Sequence, residues 1–280
     1  MSTAPADFVP RSLLFVPATR PDMVAKVERV HPDAVVLDWE DAVAPPEKEG
    51  ARITAAQTLS AARPGADAVL IRINAPGTPW YDADVEAVAA LVTAGHVDGV
   101  LLPKYEHVSQ LTALREKLEP ATRIVAGLES GLGVADAREL LAAGPDSAYF
   151  GAEDYIADLG GRRTAGGLEV LYARSQVALA ASLTGVASLD QVVTAVTDAE
   201  AFRADARQGL ELGYRGKICL HPTQVTVAHE VFTPTSDEVA HAEKVLAAGE
   251  SGVGLVDGQM VDAVHLTLAR AVLARAGRPT

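Results

Sequence analysis

Short aliphatic and β-branched runs alternate along the chain with Ala/Leu-rich stretches whose apolar residues recur at helical spacing. The runs at 13–16, 34–37, 68–73, 99–102, 124–127, 148–150, 186–189 and 217–220 predict eight strands. Helices are predicted over 21–30, 47–62, 82–93, 108–118, 134–142, 168–183 and 199–210, with a short one after His221. The stretch between Phe150 and Leu168 reads as a glycine-rich loop. Each strand is apolar throughout rather than alternating, the pattern of a parallel sheet covered on both faces. Eight β-then-α units in about 220 residues are the arithmetic of a (β/α)8 TIM barrel. A doubly wound open sheet is the alternative, because spacing does not show closure. Residues 1–235 then make a catalytic barrel, and 236–280 a helical C-terminal extension. The extension reads as helices at 237–248 and 263–276 around a loop holding 256–262, a tail suited to subunit contact.

Composition narrows the partners. Of 280 residues, 49% are hydrophobic and 22% charged, which excludes a disordered or collagenous chain. Twenty-four basic residues against 37 acidic ones give a net charge of −13. No basic stripe is present for nucleic acid or an anionic membrane. The single cysteine, Cys219, lies in an apolar strand and has no internal disulfide partner, pointing to a reducing compartment. Residues 1–11 lack the basic start and apolar run of a signal peptide, and no apolar stretch nears the ~20 residues of a membrane span. The expectation is a soluble, cytoplasmic protein.

Chemistry collects where the strands end. Strand two is followed by Asp38-Trp39-Glu40-Asp41, strand three by Arg72-Ile73-Asn74 and strand four by Pro103-Lys104. Strand five is followed by Glu129-Ser130-Gly131, strand six by Gly151-Ala152-Glu153-Asp154 and strand eight by His221-Pro222. Any one of these reads equally as a cap or turn. In a barrel all of them ring one mouth, where barrel enzymes place their chemistry. Glu129 and Asp154, on neighbouring sectors, make a pair suited to Mg²⁺ with water and substrate completing the shell. Their alternative is helix capping, shared with Ser130. No Cys or His stands beside them, which argues against zinc. Asp41 and Glu40 join that site through water, or else accept backbone N–H groups. Arg72, in an apolar strand, needs an anionic partner: a substrate carboxylate, or an internal ion pair with Asp41 or Glu129. Arg20, Lys104 and His221 are further candidate substrate contacts, and Asp41 a catalytic one. The loop from Asp158 to Gly167 holds Arg162 and Arg163 but matches neither GxGxxG nor a P-loop. It reads as a basic loop that meets an anionic substrate tail, or as a plain connection. The other six histidines form no ligand cluster.

The ordered set of these pieces resembles the citrate lyase β-subunit-like family, the aldolase and acyl-CoA lyase group with malyl-CoA and citramalyl-CoA lyases. The stretches that carry the resemblance begin with Arg11-Ser12-Leu13-Leu14-Phe15-Val16-Pro17, Leu37-Asp38-Trp39-Glu40-Asp41-Ala42-Val43, Ile71-Arg72-Ile73-Asn74 and Leu101-Leu102-Pro103-Lys104. They continue with Leu128-Glu129-Ser130-Gly131, Gly151-Ala152-Glu153-Asp154, Asp158-Leu159-Gly160-Gly161, Cys219-Leu220-His221-Pro222 and Gly258-Gln259-Met260-Val261-Asp262. The resemblance implies a Mg²⁺-dependent barrel, trimeric or a dimer of trimers. It gives Glu129 and Asp154 to the metal, and Arg72 to the substrate carboxylate and developing oxyanion. Asp262 it gives to proton transfer at the acyl carbon, from the tail of a neighbouring subunit; read without it, Asp262 is equally a helix N-cap. The implied reaction is carbon–carbon cleavage of a 3-hydroxyacyl-CoA thioester into an acyl-CoA and a 2-oxo acid, or its reverse. Two neighbouring readings stay open: a CoA-independent metal-dependent 2-oxo-acid aldolase, and the lyase subunit of a citrate lyase complex acting on an acyl-carrier-protein thioester. Trp39 and Ser130 replace the family's usual Leu and Thr, and both are expected to alter the pocket.

Overall fold

The computed structural model describes residues 8–249 and 254–277. The stretch 1–11, read above for a signal peptide, lies outside that range over 1–7. Eight strands, β1 (Ser12–Pro17), β2 (Ala34–Asp38), β3 (Ala68–Arg72), β4 (Gly99–Leu102), β5 (Arg123–Leu128), β6 (Ser147–Phe150), β7 (Ala187–Asp190) and β8 (Gly216–Cys219), close into a barrel in sequence order. All the pairings are parallel, and β8 returns to β1 through Ser12↔Lys217 and Leu13↔Ile218. Closure decides between the barrel and the open sheet.

The helices of the barrel are α1 (Pro21–Val24), α2 (Lys48–Ala61), α3 (Tyr81–Thr93), α4 (Val108–Lys117), α5 (Gly131–Ala135), α6 (Ala137–Ala142), α7 (Ala152–Asp158), α8 (Leu168–Thr184), α9 (Ala199–Leu212) and α10 (Pro222–Phe232). Three differ from expectation. The helix expected over 21–30 stops at Val24 and continues as a single tight turn over Val27–Arg29; Pro32 disfavours a helical residue before it, and His31 takes φ 41°. The helix expected over 134–142 starts earlier, at Gly131, and breaks at Asp136. Ser130 Oγ accepts the Gly133 N–H at 3.1 Å, and that cap sets the earlier start. The loop expected after Phe150 begins as α7, too short to show a helical period.

Strand alternation explains what fills the barrel. Leu13, Ala34, Val36, Ala68, Leu70, Leu101, Val125, Tyr149, Leu189 and Ile218 form one buried cluster, each pointing inward. Two residues further along their strands, the same face carries Phe15, Asp38, Arg72, Gly127 and Gly151, and Glu129 follows two beyond Gly127. The upper interior is therefore polar because the alternation continues past the apolar layer. Trp39 falls on the opposite, helix-facing side with Val35 and Leu37 and is fully buried. It packs away from the barrel interior, so the expectation that it reshapes the pocket is corrected. Among the described residues no helix is long and apolar enough to cross a membrane.

The chain divides into compact units at 1–229 and 230–280. The second unit holds α11 (Ser236–Gly249), β9 (Gly254–Val256), β10 (Gln259–Val261) and α12 (Ala263–Arg275). Ala242, Val245, Val256, Val261, Ala269 and Leu273 make its own core. The loop expected at 256–262 is an antiparallel hairpin turning on Asp257-Gly258, at φ 51° and 81°. Two successive positive φ values are what a two-residue hairpin turn demands, and Asp-Gly supplies them at little strain.

Candidate active site

Register places Asp38 directly beside Arg72. The guanidinium forks onto that carboxylate, Nε to Oδ1 at 2.8 Å and Nη2 to Oδ2 at 2.6 Å. Its remaining nitrogen, Nη1, lies 2.8 Å from Glu40 Oε2 and 3.4 Å from Asp41 Oδ2. The internal partner expected for Arg72 was Asp41 or Glu129. The main partner is Asp38, because position 38 faces inward on the adjacent strand, whereas position 129 follows β5, two strands away. Phe15 adds its ring 5.1 Å beneath the guanidinium. Burial pulls the Arg72 proton affinity down, but the charge and hydrogen bonds of Asp38, and then Glu40, leave it well above the usual arginine range. The turn after β2 is held from behind: Asp38 accepts the N–H groups of Glu40 and Ala42, and the Lys48 ammonium binds the Trp39 and Glu40 carbonyls.

Glu129, buried at 2% exposure, closes the other side. A Cβ at Gly151 would stand 2.5 Å from Glu129 Cβ and Oε2, so only glycine leaves room for this carboxyl. Glu129 Oε1 accepts the Lys104 N–H at 2.8 Å. Lys104 presents that N–H from φ 48°, a conformation rare outside glycine and a mark of functional strain. Its ammonium reaches Glu40 Oε1 at 3.0 Å and Asp154 Oδ1 at 3.5 Å. One residue thus bridges Glu129, Glu40 and Asp154. Burial, then the charges of Glu40 and Asp154, push the Glu129 carboxyl up to about 8. Burial likewise raises Glu40, against the pull of Arg72 and Lys104. Tyr149, whose hydroxyl is buried, is raised well above the usual phenol range by burial and then by the charge of Glu129.

Carboxylates at 38, 40, 41, 129 and 154 converge on the cations of Arg72 and Lys104. Among the described residues Glu40 Oε2 has no hydrogen-bond donor, its contact with Arg72 Nη1 being an ion pair. A buried carboxyl held near neutrality beside such an oxygen fits a hard divalent cation. Among the described residues no three metal-ligating side chains meet at one point. The protein would supply the Glu129 and Asp154 carboxylates, and water or substrate the remaining oxygens. Asp154 makes no cap contact at the start of α7, whereas Ser130 does cap α5.

The other candidates have local partners. The Arg20 guanidinium forks onto Asp22 at 2.8 and 2.9 Å. His221 Nδ1 pairs with Thr223 Oγ1 at 2.8 Å. Neither joins the cluster by a hydrogen bond or ion pair among the described residues. Arg163 is tied to Gln191 Oε1 at 3.1 Å and lies 3.4 Å from Glu153, while Arg162 is exposed. Cys219 is buried in β8, as a core residue. Asp262 caps α12, accepting the Val264 N–H at 3.0 Å and meeting His265 Nδ1 at 2.8 Å. Sequence reading placed Asp38 at the end of strand two without giving it a role, and gave none to Phe15 or Tyr149; the inward alternation through Leu13, Val36, Leu70 and Tyr149 was the available signal.

Comparison with known proteins adds the following. A family model described as HpcH/HpaI aldolase/citrate lyase matches residues 11–222. A citrate lyase subunit beta-like protein of Deinococcus radiodurans is 49% identical over 279 residues, covering 94% of this chain and 96% of the relative. The crystal structure of CitE from Mycobacterium tuberculosis with magnesium, acetoacetate and coenzyme A is similar at a TM-score of 0.81 and 35% identity, over 96% of this chain and 99% of that one. The M. tuberculosis citrate lyase beta subunit complexed with oxaloacetate and magnesium is similar at a TM-score of 0.70 and 33% identity, over 81% and 98%.

Proposed function

The chain belongs to the HpcH/HpaI aldolase/citrate lyase family, and from that premise we propose that it is a Mg²⁺-dependent carbon–carbon lyase acting on a 3-hydroxyacyl-CoA thioester. Malyl-CoA, citramalyl-CoA or a citryl thioester would be cleaved to an acyl-CoA and a 2-oxo acid, or formed from them. The observation that carries this reading is the buried Glu129 carboxyl, pushed up to about 8 beside Glu40 and Asp154 at the rim that also holds Arg72. The magnesium, coenzyme A and oxaloacetate of the M. tuberculosis structures support it.

Bond cleavage places negative charge first on the hydroxyl oxygen and then on the thioester enolate. Glu129 and Asp154 would hold Mg²⁺, which would supply Lewis-acid stabilisation of the developing negative charge. Arg72, immobilised by Asp38, offers Nη1 to the same region without reorganising, which is where a fixed cation lowers a barrier most. Asp41, the most exposed carboxylate around Arg72 at 56%, yields that nitrogen to substrate. Lys104 orients Glu129 through its backbone N–H. Asp262 exchanges the proton at the acyl carbon.

We infer a homo-oligomer, trimeric or hexameric, in which Asp262 serves the mouth of a neighbouring subunit. Support comes from the apolar residues around Asp262: Leu255, Met260, Val264 and Leu268 stand 59–74% exposed on the tail unit. The single buried cysteine suits the cytoplasm.

A panel of hydroxyacyl-CoA thioesters, assayed for 2-oxo-acid release with and without Mg²⁺, tests the reading. Release from one thioester that stops in chelator is expected; no release from any of them, or undiminished release in chelator, contradicts it. The citrate lyase beta subunit likeness favours one second reading, an acyl-carrier-protein thioester as substrate. Offering the same acyl group on carrier protein and on CoA separates the two.

A further inference from the structure

An N-cap aspartate needs only backbone donors, yet Asp262 has more. The residue three along is His265, and its Nδ1 lies 2.8 Å from Asp262 Oδ1. All the side-chain contacts of Asp262 fall on that oxygen: the Val264 N–H at 3.0 Å, the His265 N–H at 3.4 Å and the ring. Oδ2 makes no hydrogen bond among the described residues. The Asp262 N–H also approaches His265 Nδ1, at 3.2 Å. One ring nitrogen does not both accept from that N–H and donate to the carboxylate. The shorter, charge-assisted contact prevails, so Nδ1 carries the proton and Nε2 is left to solvent.

We propose that His265 is a positioning residue for the proton transfer assigned to Asp262: its ring pins one carboxylate oxygen, keeps the group ionised and leaves Oδ2 as the proton acceptor. This inference rests on the lyase reading above. In the bond-forming direction the C–H bond of the acyl thioester breaks, its proton goes to Oδ2 and its electron pair becomes the enolate. In cleavage the same proton returns from Oδ2 to carbon, and the enolate pair forms the C–H bond. The Asp262 carboxyl lies below the usual carboxylate range, first because of the His265 ring and then the two backbone donors. The elements packed on α12 are α11 and β10. Of their charged groups and that of the hairpin turn, His241 pairs with Asp257 at 3.5 Å and Glu238 accepts from Thr235. Asp237, Glu243 and Lys244 make no contact with Asp262 or His265 among the described residues.

The test is the pH dependence of kcat and KM in the bond-forming direction, from acyl-CoA and 2-oxo acid, in full-length His265→Ala, His265→Asn and Asp262→Asn. Losing the ring donor should lower kcat by roughly tenfold, the equivalent of ~1.4 kcal/mol and the size of one charge-assisted hydrogen bond. KM should hold, and the acid limb of the kcat profile should move to higher pH. Asparagine at 265 keeps an N–H near the place of Nδ1 and should recover most of the loss. Asp262→Asn keeps a good cap but not the base, and should lose ~10²-fold or more. Wild-type kcat and an unmoved acid limb in His265→Ala, with Asp262→Asn inactive, would overturn the role of His265 and leave the lyase reading standing. Equal losses in the alanine and asparagine variants would also overturn it. An active Asp262→Asn would instead remove the proton transfer itself. Should His265→Ala fail to fold, His265→Leu takes its place: the loss in kcat and the raised acid limb are expected, and wild-type values of both would overturn the role of His265.

Discussion

Glu129→Gln separates the charge of the buried carboxyl from its shape. In the folded protein this carboxyl is pushed up to about 8, from 4.5 in an open chain. Between those values the folded state keeps a proton that the unfolded chain has released. The associated stability is therefore complete below about pH 4.5 and drains away as pH rises to about 8. At 1.36 kcal/mol per pH unit, a gap of that size is worth roughly 4–5 kcal/mol. Glu129 is fully enclosed, so solvent does little to reduce that figure. A glutamine at 129 stays neutral at every pH. In chelator the variant should match wild type near pH 4 and exceed it by roughly 4–5 kcal/mol near pH 8.5. For a chain of this length each kcal/mol moves Tm by roughly 2 °C, so the melting curves should separate by about 8–10 °C. Mg²⁺ at pH 8.5 should raise the wild-type Tm and leave the variant almost unmoved. Thermal unfolding followed by circular dichroism at both pH values, with chelator and with Mg²⁺, reads all of this. If wild type and variant keep the same difference at both pH values in chelator, Glu129 is ionised without a cation and the case for a metal site there fails.

Arg72→Lys keeps the charge but loses the fork on Asp38, and should lower kcat/KM by roughly 3–4 kcal/mol; a loss within tenfold, ~1.4 kcal/mol, would make Arg72 structural. Gly151→Ala puts a methyl group 2.5 Å from Glu129, and should weaken Mg²⁺ binding by calorimetry and lower stability by ~1–3 kcal/mol; unchanged Mg²⁺ affinity would show that Glu129 is not a ligand. Mixing inactive Asp262→Asn with inactive Glu129→Gln under subunit exchange should restore activity at interfaces that pair an intact mouth with an intact tail. Stable mixed oligomers without recovered activity would place Asp262 outside a shared site.

The barrel was legible because its strands are unbroken apolar runs, a signal that survives burial on both faces. The charged rim was legible as a set of strand ends, but its pairing was not. Position 38 shares a face with Val36, and position 72 with Leu70; following the alternation upward pairs them, whereas counting polar residues pointed Arg72 to Asp41 or Glu129. The same alternation removes Trp39 from the interior. Lys104 was marked for its ammonium, and the backbone N–H it gives Glu129 follows from a positive φ that no residue type announces. Helix α7 escaped because it is a few turns shorter than a periodicity needs and is bounded by Gly151 and Gly160. The hairpin carried its signal openly in Asp257-Gly258, hidden only by the helical character of the residues on either side. His265 was read as a lone histidine; three positions after a capping aspartate, it is instead the side chain that meets it.

The central claim is that this site breaks a carbon–carbon bond, and product stoichiometry tests it most directly. With the thioester that turns over in Mg²⁺, the acyl-CoA and the 2-oxo acid should appear together in equal amounts, and neither should form with Glu129→Gln. Appearance of free CoA and an intact hydroxy acid in their place would mean that water attacks the thioester while the carbon skeleton survives, and would contradict the account.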